Sequence, residues 1–381
     1  MKKILFIATR NPYSGKFSGD VIGSLKIIKF LKKKYNVTTV CLGVKKLKKK
    51  NILIFRKPNF FLKILSVIFS ILKMKPLQFG LFYSKKMHNY IINNAKNYDL
   101  LFFYHIRSSQ YFPENYKGKS VIEMGDLYSH NYFQTFCNLS IFNPFKYIYL
   151  LESFFIRRIE NDIFKKFDKI ILFSMYEIKK ISKVFRKKVF KVNLSVGFVR
   201  KKFLFTKKNN KILFIGNLNY LPNLLAVRDF VKNILPPLLK RIPNINFYVI
   251  GNIGKFDKFL LSRHRNTTFL GQQRNITRYI KNSFFGLANL KIATGIQGKV
   301  LTYMSYGLPV ICSKKVSSNF KDNVINYSNN IDLITKIINL KKNKKLSNKF
   351  SKKSLKFARK HDENKIGSKY LKIVNFNKKL S

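Results

Sequence analysis

The chain has 381 residues, 46% of them hydrophobic, with a mean hydropathy of −0.13. That is enough for two domains with separate cores and too apolar for a disordered chain. Its charge is the anomaly: 76 Lys and Arg against 16 Asp and Glu leave a formal +60, which suits an anionic partner such as a membrane surface, a phosphorylated substrate or nucleic acid. A bias toward Lys, Asn, Ile and Phe along the whole chain accounts for the excess equally well. The basic residues are spread out and no nucleic-acid-binding signature is visible, so nucleic acid has charge alone behind it.

In chain order, "ILFIA" is a continuous apolar run, as expected of a strand buried on both faces. The loop "TRNPYSGKFSGD" follows, then "VIGSLKIIKFLKKKY" with apolar residues at helical spacing, then β-branched "NVTTVCL". This strand–helix–strand unit predicts a parallel sheet and an α/β class. The opening apolar run is too short for a signal peptide and ends in Arg10. No apolar stretch reaches the ~18 residues needed to cross a bilayer, so a cytoplasmic protein, soluble or peripheral on the inner face of the membrane, is expected.

Residues 60–79, "FFLKILSVIFSILKMKPLQF", are flanked by Lys57, Lys73 and Lys75 and stopped by Pro76. Two readings stand: an interfacial helix that contacts a membrane, or a core or lid helix of the first domain. "DLLFFYHI", "KSVIEMG" and "DKIILFS" read as later strands of the same sheet, separated by helical stretches such as residues 151–167. Cys41, Cys137 and Cys312 lack CxxC spacing and read as buried thiols in a reducing cytosol, and the five histidines show no metal-ligand spacing.

At "KKNNKILFIGN" the pattern restarts with a buried strand ending in Gly216. A helix over "LLAVRDFVKNILPPLLKRIP", the strand "INFYVIGN" closed by Gly251, and strands in "TTFLGQQ" and "SFFGLANL" follow. Residues 1–200 and 201–345 are expected to be two α/β domains, and 346–381 a basic helical segment that packs back on the first.

The stretch "ATGIQGKVLTYMSYGLPVICS" has the chemistry of an anion site. Gly295 precedes a helix starting near Gly298, whose N–H groups and positive dipole end face the carboxyl ends of the strands. Lys299 in the first turn opposes the helix dipole, which makes sense beside an anion such as a diphosphate; an ordinary loop with a solvated lysine is the plain alternative. Gly307 and Pro309 end the helix and release a strand.

"GIQGKVLTYMSYGLPVICS" resembles the C-terminal signature of family 4 glycosyltransferases of the GT-B fold. Other stretches resemble the same branch in order: "FSGD" before an amphipathic helix, Arg107 and Tyr111 in "HIRSSQYF", and Glu123, Asp126, Ser129 and Tyr132 in "IEMGDLYSHNY". "LLESFFIRRIENDIFKKFDKIILFS" is similar to the close of the first domain, and "ILFIGNLNYLPN" to the opening of the second. The resemblance implies two Rossmann-like domains facing across a cleft, with acceptor on the N-terminal and donor on the C-terminal side. The implied activity is metal-independent, retaining transfer of a sugar from a UDP-, GDP- or ADP-sugar, without a cofactor, to a glycan or lipid-linked acceptor. It would serve polysaccharide or lipopolysaccharide biosynthesis.

On that basis Gly216, Asn217, Lys291, Thr294, Gly295, Ile296, Gln297, Lys299 and Thr302 are the donor-side residues. Ser18, Gly19 and Asp20 form the N-terminal loop, and Arg107 and Asp126 are the catalytic candidates; a helix N-cap or loop hydrogen bond is the other reading of Asp126. The family's two glutamates, seven residues apart, are replaced by Thr294 and Thr302, and its Arg and Lys phosphate contacts by Asn217 and Pro222-Asn223. The alternative is therefore a weakened or non-catalytic relative that binds nucleotide, glycan or membrane as a scaffold.

Overall fold

A computed structural model describes residues 1–15, 18–44, 51–197, 203–293 and 295–375. Its contacts divide the chain into two units, Met1–Asn193 with the segment from Asn364 onward, and Leu194–Glu363.

The first unit is built on seven parallel strands: β1 (Lys3–Ala8), β2 (Asn36–Gly43), β3 (Ile52–Arg56), β4 (Leu100–Tyr104), β5 (Lys119–Gly125), β6 (Lys169–Leu172) and β7 (Val189–Lys191). Their order, β3-β2-β1-β4-β5-β6-β7, reverses direction between β1 and β4. The apolar runs are continuous because both faces are covered. Ile4, Phe6 and Ala8 enter one core, while Leu5 and Ile7 enter the other, as the pleat requires. The C-terminal helix Glu363–Ile373 closes the Phe6 side. Its Tyr370 ring stacks on Phe30 with centroids 6.2 Å apart, and its hydroxyl donates to Glu123 Oε2 at 3.2 Å.

The second unit has six parallel strands, β8 (Lys211–Ile215), β9 (Asn246–Ile250), β10 (Thr267–Phe269), β11 (Ser283–Ala288), β12 (Val310–Ser313) and β13 (Ile325–Tyr327). The order β10-β9-β8-β11-β12-β13 again reverses, between β8 and β11. The helix Lys344–Ala358 belongs to this unit: a Cβ on Gly307 (φ 73°) would come within 3.1 Å of Leu355.

Three features differ from the sequence reading. The helix expected over residues 224–243 is broken into Leu221–Asp229 and Leu235–Arg241 by a π-helical turn, Phe230–Ile234. Pro236 and Pro237 offer no N–H to a regular ladder, so the turn widens just before them. Cys137 is exposed, whereas Cys41 and Cys312 are buried. The helix Phe60–Leu72 is no core helix, because Ser70 is its single buried residue.

Candidate functional site

In a doubly wound sheet, ligands bind beyond the carboxyl ends of the strands where the order reverses. In the second unit that place is the end of β8 beside β11. Gly251 (φ 145°) crosses so near the end of β8 that a Cβ would lie 1.9 Å from the Gly216 carbonyl oxygen. The backbone turns here are therefore fixed by absent side chains. Gly216 also makes room for a cation, since its own Cβ would sit 3.0 Å from Lys299 Nζ.

Lys299 is partly covered as a residue, but its ammonium lies inside, 3.8 Å from the centroid of the Phe214 ring. It donates to Asn223 Oδ1 at 2.7 Å, and Asn223 Nδ2 donates in turn to the Asn217 carbonyl at 2.8 Å. Burial brings this lysine down to about 7, because one amide and a ring face replace a full hydration shell. The sequence marked Asn223 as a lost cation; in the structure it holds the remaining one.

The helix Gly298–Ser305 starts without a side-chain cap, next to Gly295 (φ 59°), whose carbonyl accepts from Asn319 Nδ2 at 2.7 Å. Gln297 is its N-cap residue, and Ile296 packs against the core. Thr302 Oγ1 donates back to the Gly298 carbonyl at 2.9 Å, which leaves the hydroxyl oxygen as an acceptor only. Thr294 lies outside the described residues.

Lys291 is placed apart from this group. It pairs with Asp229 at 3.1 Å, six residues beyond Asn223 and so about 9 Å along the same helix. Tyr303, which the sequence gave no role, is buried against Gly286, accepts from the Ile215 N–H at 2.7 Å and reaches the Leu287 carbonyl at 3.4 Å. Its phenol thus bridges β8 and β11 at their carboxyl ends.

The first unit collects a second group beyond β1 and β4. Ser18 is the N-cap residue of the helix Gly19–Leu31, and Asp20 in its first turn pairs with Arg10 at 2.6 Å. Burial pushes the Asp20 carboxyl up, but a Ser18 hydrogen bond and the charges of Arg10, His105 and Arg107 outweigh it and hold it below the usual range. His105 stands past β4 at φ 72°, with Nδ1 2.5 Å from the Tyr128 hydroxyl. Burial, reinforced by Arg107, lowers it to about 3, so it is neutral at physiological pH.

Arg107 lies 4.5 Å over the Phe82 ring, and its Nε is buried without a hydrogen-bond partner. Burial and the Arg10 charge bring it down to about 10. Arg10 and Arg107 against the one carboxylate of Asp20 leave this edge with an excess positive charge, suited to an anionic group.

Asp126 follows β5, but the N-cap residue of the next helix, Tyr128–Asn138, is Leu127. The N-cap reading of Asp126 therefore fails. Its Oδ1 is buried without a partner, and burial raises it to about 7. Glu177, whose Oε1 accepts from the Leu127 N–H at 3.2 Å, is raised to about 9 by burial and by Asp126. Glu160 accepts from the Ser129 N–H and hydroxyl at 3.1 and 2.6 Å. These acids hold protons near neutral pH, a property that spacing in the sequence did not signal.

Residues 209–343 match the family described as "Glycosyl transferases group 1". No curated protein sequence matches the chain. Among solved structures, sucrose-phosphate synthase from Thermosynechococcus elongatus superposes with a TM-score of 0.72 at 11% identity, covering 98% of both chains. Anabaena HepE in complex with UDP-glucose gives 0.66 at 12%, covering 98% of this chain and 99% of that one. WaaG, a glycosyltransferase involved in lipopolysaccharide biosynthesis, gives 0.65 at 12%, covering 98% and 100%. At such identities the likeness speaks for the fold, and the fold is that of the GT-B glycosyltransferases.

Proposed function

We propose that the protein is a glycosyltransferase whose second unit holds a nucleotide-sugar donor and whose first unit presents a glycan or lipid-linked acceptor. The observation that supports this most is the conjunction at the β8/β11 reversal. Two glycine turns, an uncapped helix start and a buried lysine meet where an α/β sheet takes its ligand. The leaving group is a nucleoside diphosphate. Its growing negative charge is met by backbone N–H groups of the helix Gly298–Ser305 and by Lys299, which gains its proton as the anion arrives. A side chain supplies positive charge here, in keeping with the metal-independent transfer, with retention at the anomeric carbon, that the resemblance implies.

Arg10 and Arg107 orient an anionic or hydroxyl-rich part of the acceptor, and Asp126 with Glu177 holds a proton beside it. HepE was solved with UDP-glucose, which supports a nucleotide-sugar donor, and WaaG is involved in lipopolysaccharide biosynthesis, which supports a role in polysaccharide or lipopolysaccharide assembly. On this reading that work takes place at the inner face of the cytoplasmic membrane.

One observation favours a second reading. Thr302 stands where the resembling family has a ribose-binding carboxylate, and its hydroxyl hydrogen is spent on its own helix. A relative that binds nucleotide without transfer would show this. The two separate in a transfer assay with UDP-, GDP- and ADP-sugars and a membrane lipid extract. Transfer abolished by Lys299→Ala supports the enzyme. Donor binding without transfer or sugar release from any donor would sink it in favour of the scaffold.

A further inference from the structure

An ordinary surface helix turns its apolar side to the core; the helix Phe60–Leu72 does the reverse. It lies on the helix Leu77–Leu81 through its smallest residues. Ser70 is 8% exposed, and a Cβ on Gly80 would lie 2.4 Å from the Ser66 carbonyl oxygen. The large side chains face outward, with Phe60 79%, Phe61 67%, Phe69 59% and Leu72 72% exposed.

A second apolar element lies beside it. The Leu77 N–H donates to Glu152 Oε1 at 2.5 Å, and Arg158 Nη1 lies 3.9 Å from Met74 Sδ. Both contacts bring the turn after the first helix onto the helix Phe145–Lys166. The N-terminal end of that helix and the corner before it expose Ile141, Phe142 (92%) and Phe145 (62%). So much exposed apolar surface on neighbouring elements is unfavourable in water unless something covers it.

We propose that the helix Phe60–Leu72 and the corner carrying Ile141, Phe142 and Phe145 form one membrane-docking surface that inserts into the interface of an anionic bilayer. Charge selects this occupant. No Asp or Glu occurs from residue 21 to 98 or from 127 to 151, while Lys57, Lys63, Lys73, Lys75 and Lys146 lie in or beside the two apolar elements. Phenylalanine and leucine ringed by lysine match acyl chains beneath acidic headgroups. A second copy of the chain fits poorly, because a two-fold contact would bring the same lysines face to face. Among the described residues no helix is long and apolar enough to cross a membrane, so the surface lies in the interface. The inference deepens the membrane part of the reading above and does not depend on sugar transfer.

The chain has no tryptophan, so Phe61→Trp places a single indole on the outer face. The full chain is titrated with vesicles of phosphatidylcholine alone and of phosphatidylcholine with phosphatidylglycerol. The indole emission should shift to the blue with the anionic vesicles only. In co-sedimentation, Phe60, Phe61, Phe69 and Leu72 changed together to Gln should weaken wild-type binding by at least about tenfold. The same holds for Ile141, Phe142 and Phe145 changed together to Gln. All seven side chains are exposed, and thermal melting confirms that the variants fold.

Three results would overturn the proposal: no wild-type binding to anionic vesicles, undiminished binding by the glutamine variants, or a blue shift from self-association without lipid. Loss of donor binding or transfer with vesicle binding intact would instead strike the enzymatic reading and leave this one standing.

Discussion

Replacing Lys299 by methionine keeps the stem over the Phe214 ring and removes the ammonium. In the free protein that ammonium donates to Asn223 and is brought down to about 7 by burial. A charged hydrogen bond to a diphosphate is worth roughly 1.5–3 kcal/mol, so the variant should bind donor about ten- to a hundredfold more weakly. The second signature is pH. The free lysine loses its proton as pH rises through about 7, whereas the complex keeps it, so binding takes up a proton. The charged fraction falls from about 0.9 at pH 6 to about 0.1 at pH 8, and wild-type affinity should fall roughly tenfold over that range. The methionine variant should be flat. UDP-glucose is the better probe than UDP, because a terminal phosphate titrates near pH ~6 and obscures the trend. Calorimetric titration in two buffers of different protonation enthalpy counts the proton directly. Unfolding does not mimic the effect. Lys299 lies below its unfolded value of 10.5, so the wild type carries the full cost of the buried charge below pH 7 and loses it as pH rises toward 10.5. The variant should therefore melt at or above the wild-type temperature near pH 6. Equal affinity of variant and wild type for UDP-, GDP- and ADP-glucose, with no pH trend in either, would remove Lys299 from the site.

Thr302→Glu should tighten nucleotide binding by about tenfold or more if the ribose lies by this helix, since it adds a charged acceptor in place of a hydroxyl bonded to Gly298; unchanged affinity in the same titration means the ribose is held elsewhere. Arg107→Met should lower transfer by roughly ten- to a hundredfold and leave donor affinity untouched, because the guanidinium and its unpartnered Nε belong to the first unit; parallel loss of donor binding would contradict that assignment. Glu123 is raised by burial from 4.5 to about 8. Its stabilising proton is therefore fully held below pH 4.5 and lost as pH rises through about 8, so the melting temperature should fall between pH 5 and 9. Glu123→Gln, which keeps an acceptor for Tyr370, should flatten that fall; an unchanged slope would place the titration on other groups.

Much of the frame was legible because continuous apolar runs and glycine-ended strands are local signals. β1, β4, β5, β8 and β11 stand where "ILFIA", "DLLFFYHI", "KSVIEMG", "KILFIGN" and "SFFGLANL" predicted them. What escaped was set by contacts between distant residues. Nothing in "LNYLPNLL" says that Asn223 will receive Lys299 across 76 positions, or that the Tyr303 phenol will span β8 and β11. The double proline in "NILPPLL" was visible, but the widened turn it causes comes from missing N–H groups, which a hydrophobic period does not report. Lys291 is a candidate phosphate cation in the sequence because the family's Arg and Lys contacts are missing. What the sequence does not report is its pairing with Asp229, at the other end of the helix from Asn223.

The charge excess shows the same division between what composition tells and what placement tells. Four of the six glutamates, Glu123, Glu152, Glu160 and Glu177, are buried. Each is raised by burial to between about 7 and 9. Acids that sit inside and hold their protons neutralise nothing on the surface, so the outer face is more positive than the composition suggests. A codon bias explains how many lysines the chain has. It does not explain why four of the six glutamates are withdrawn inward while the helix Phe60–Leu72 turns its serines to the protein and its phenylalanines outward. That arrangement costs free energy in water and recovers it against an anionic bilayer, where lysine and phenylalanine are both favoured.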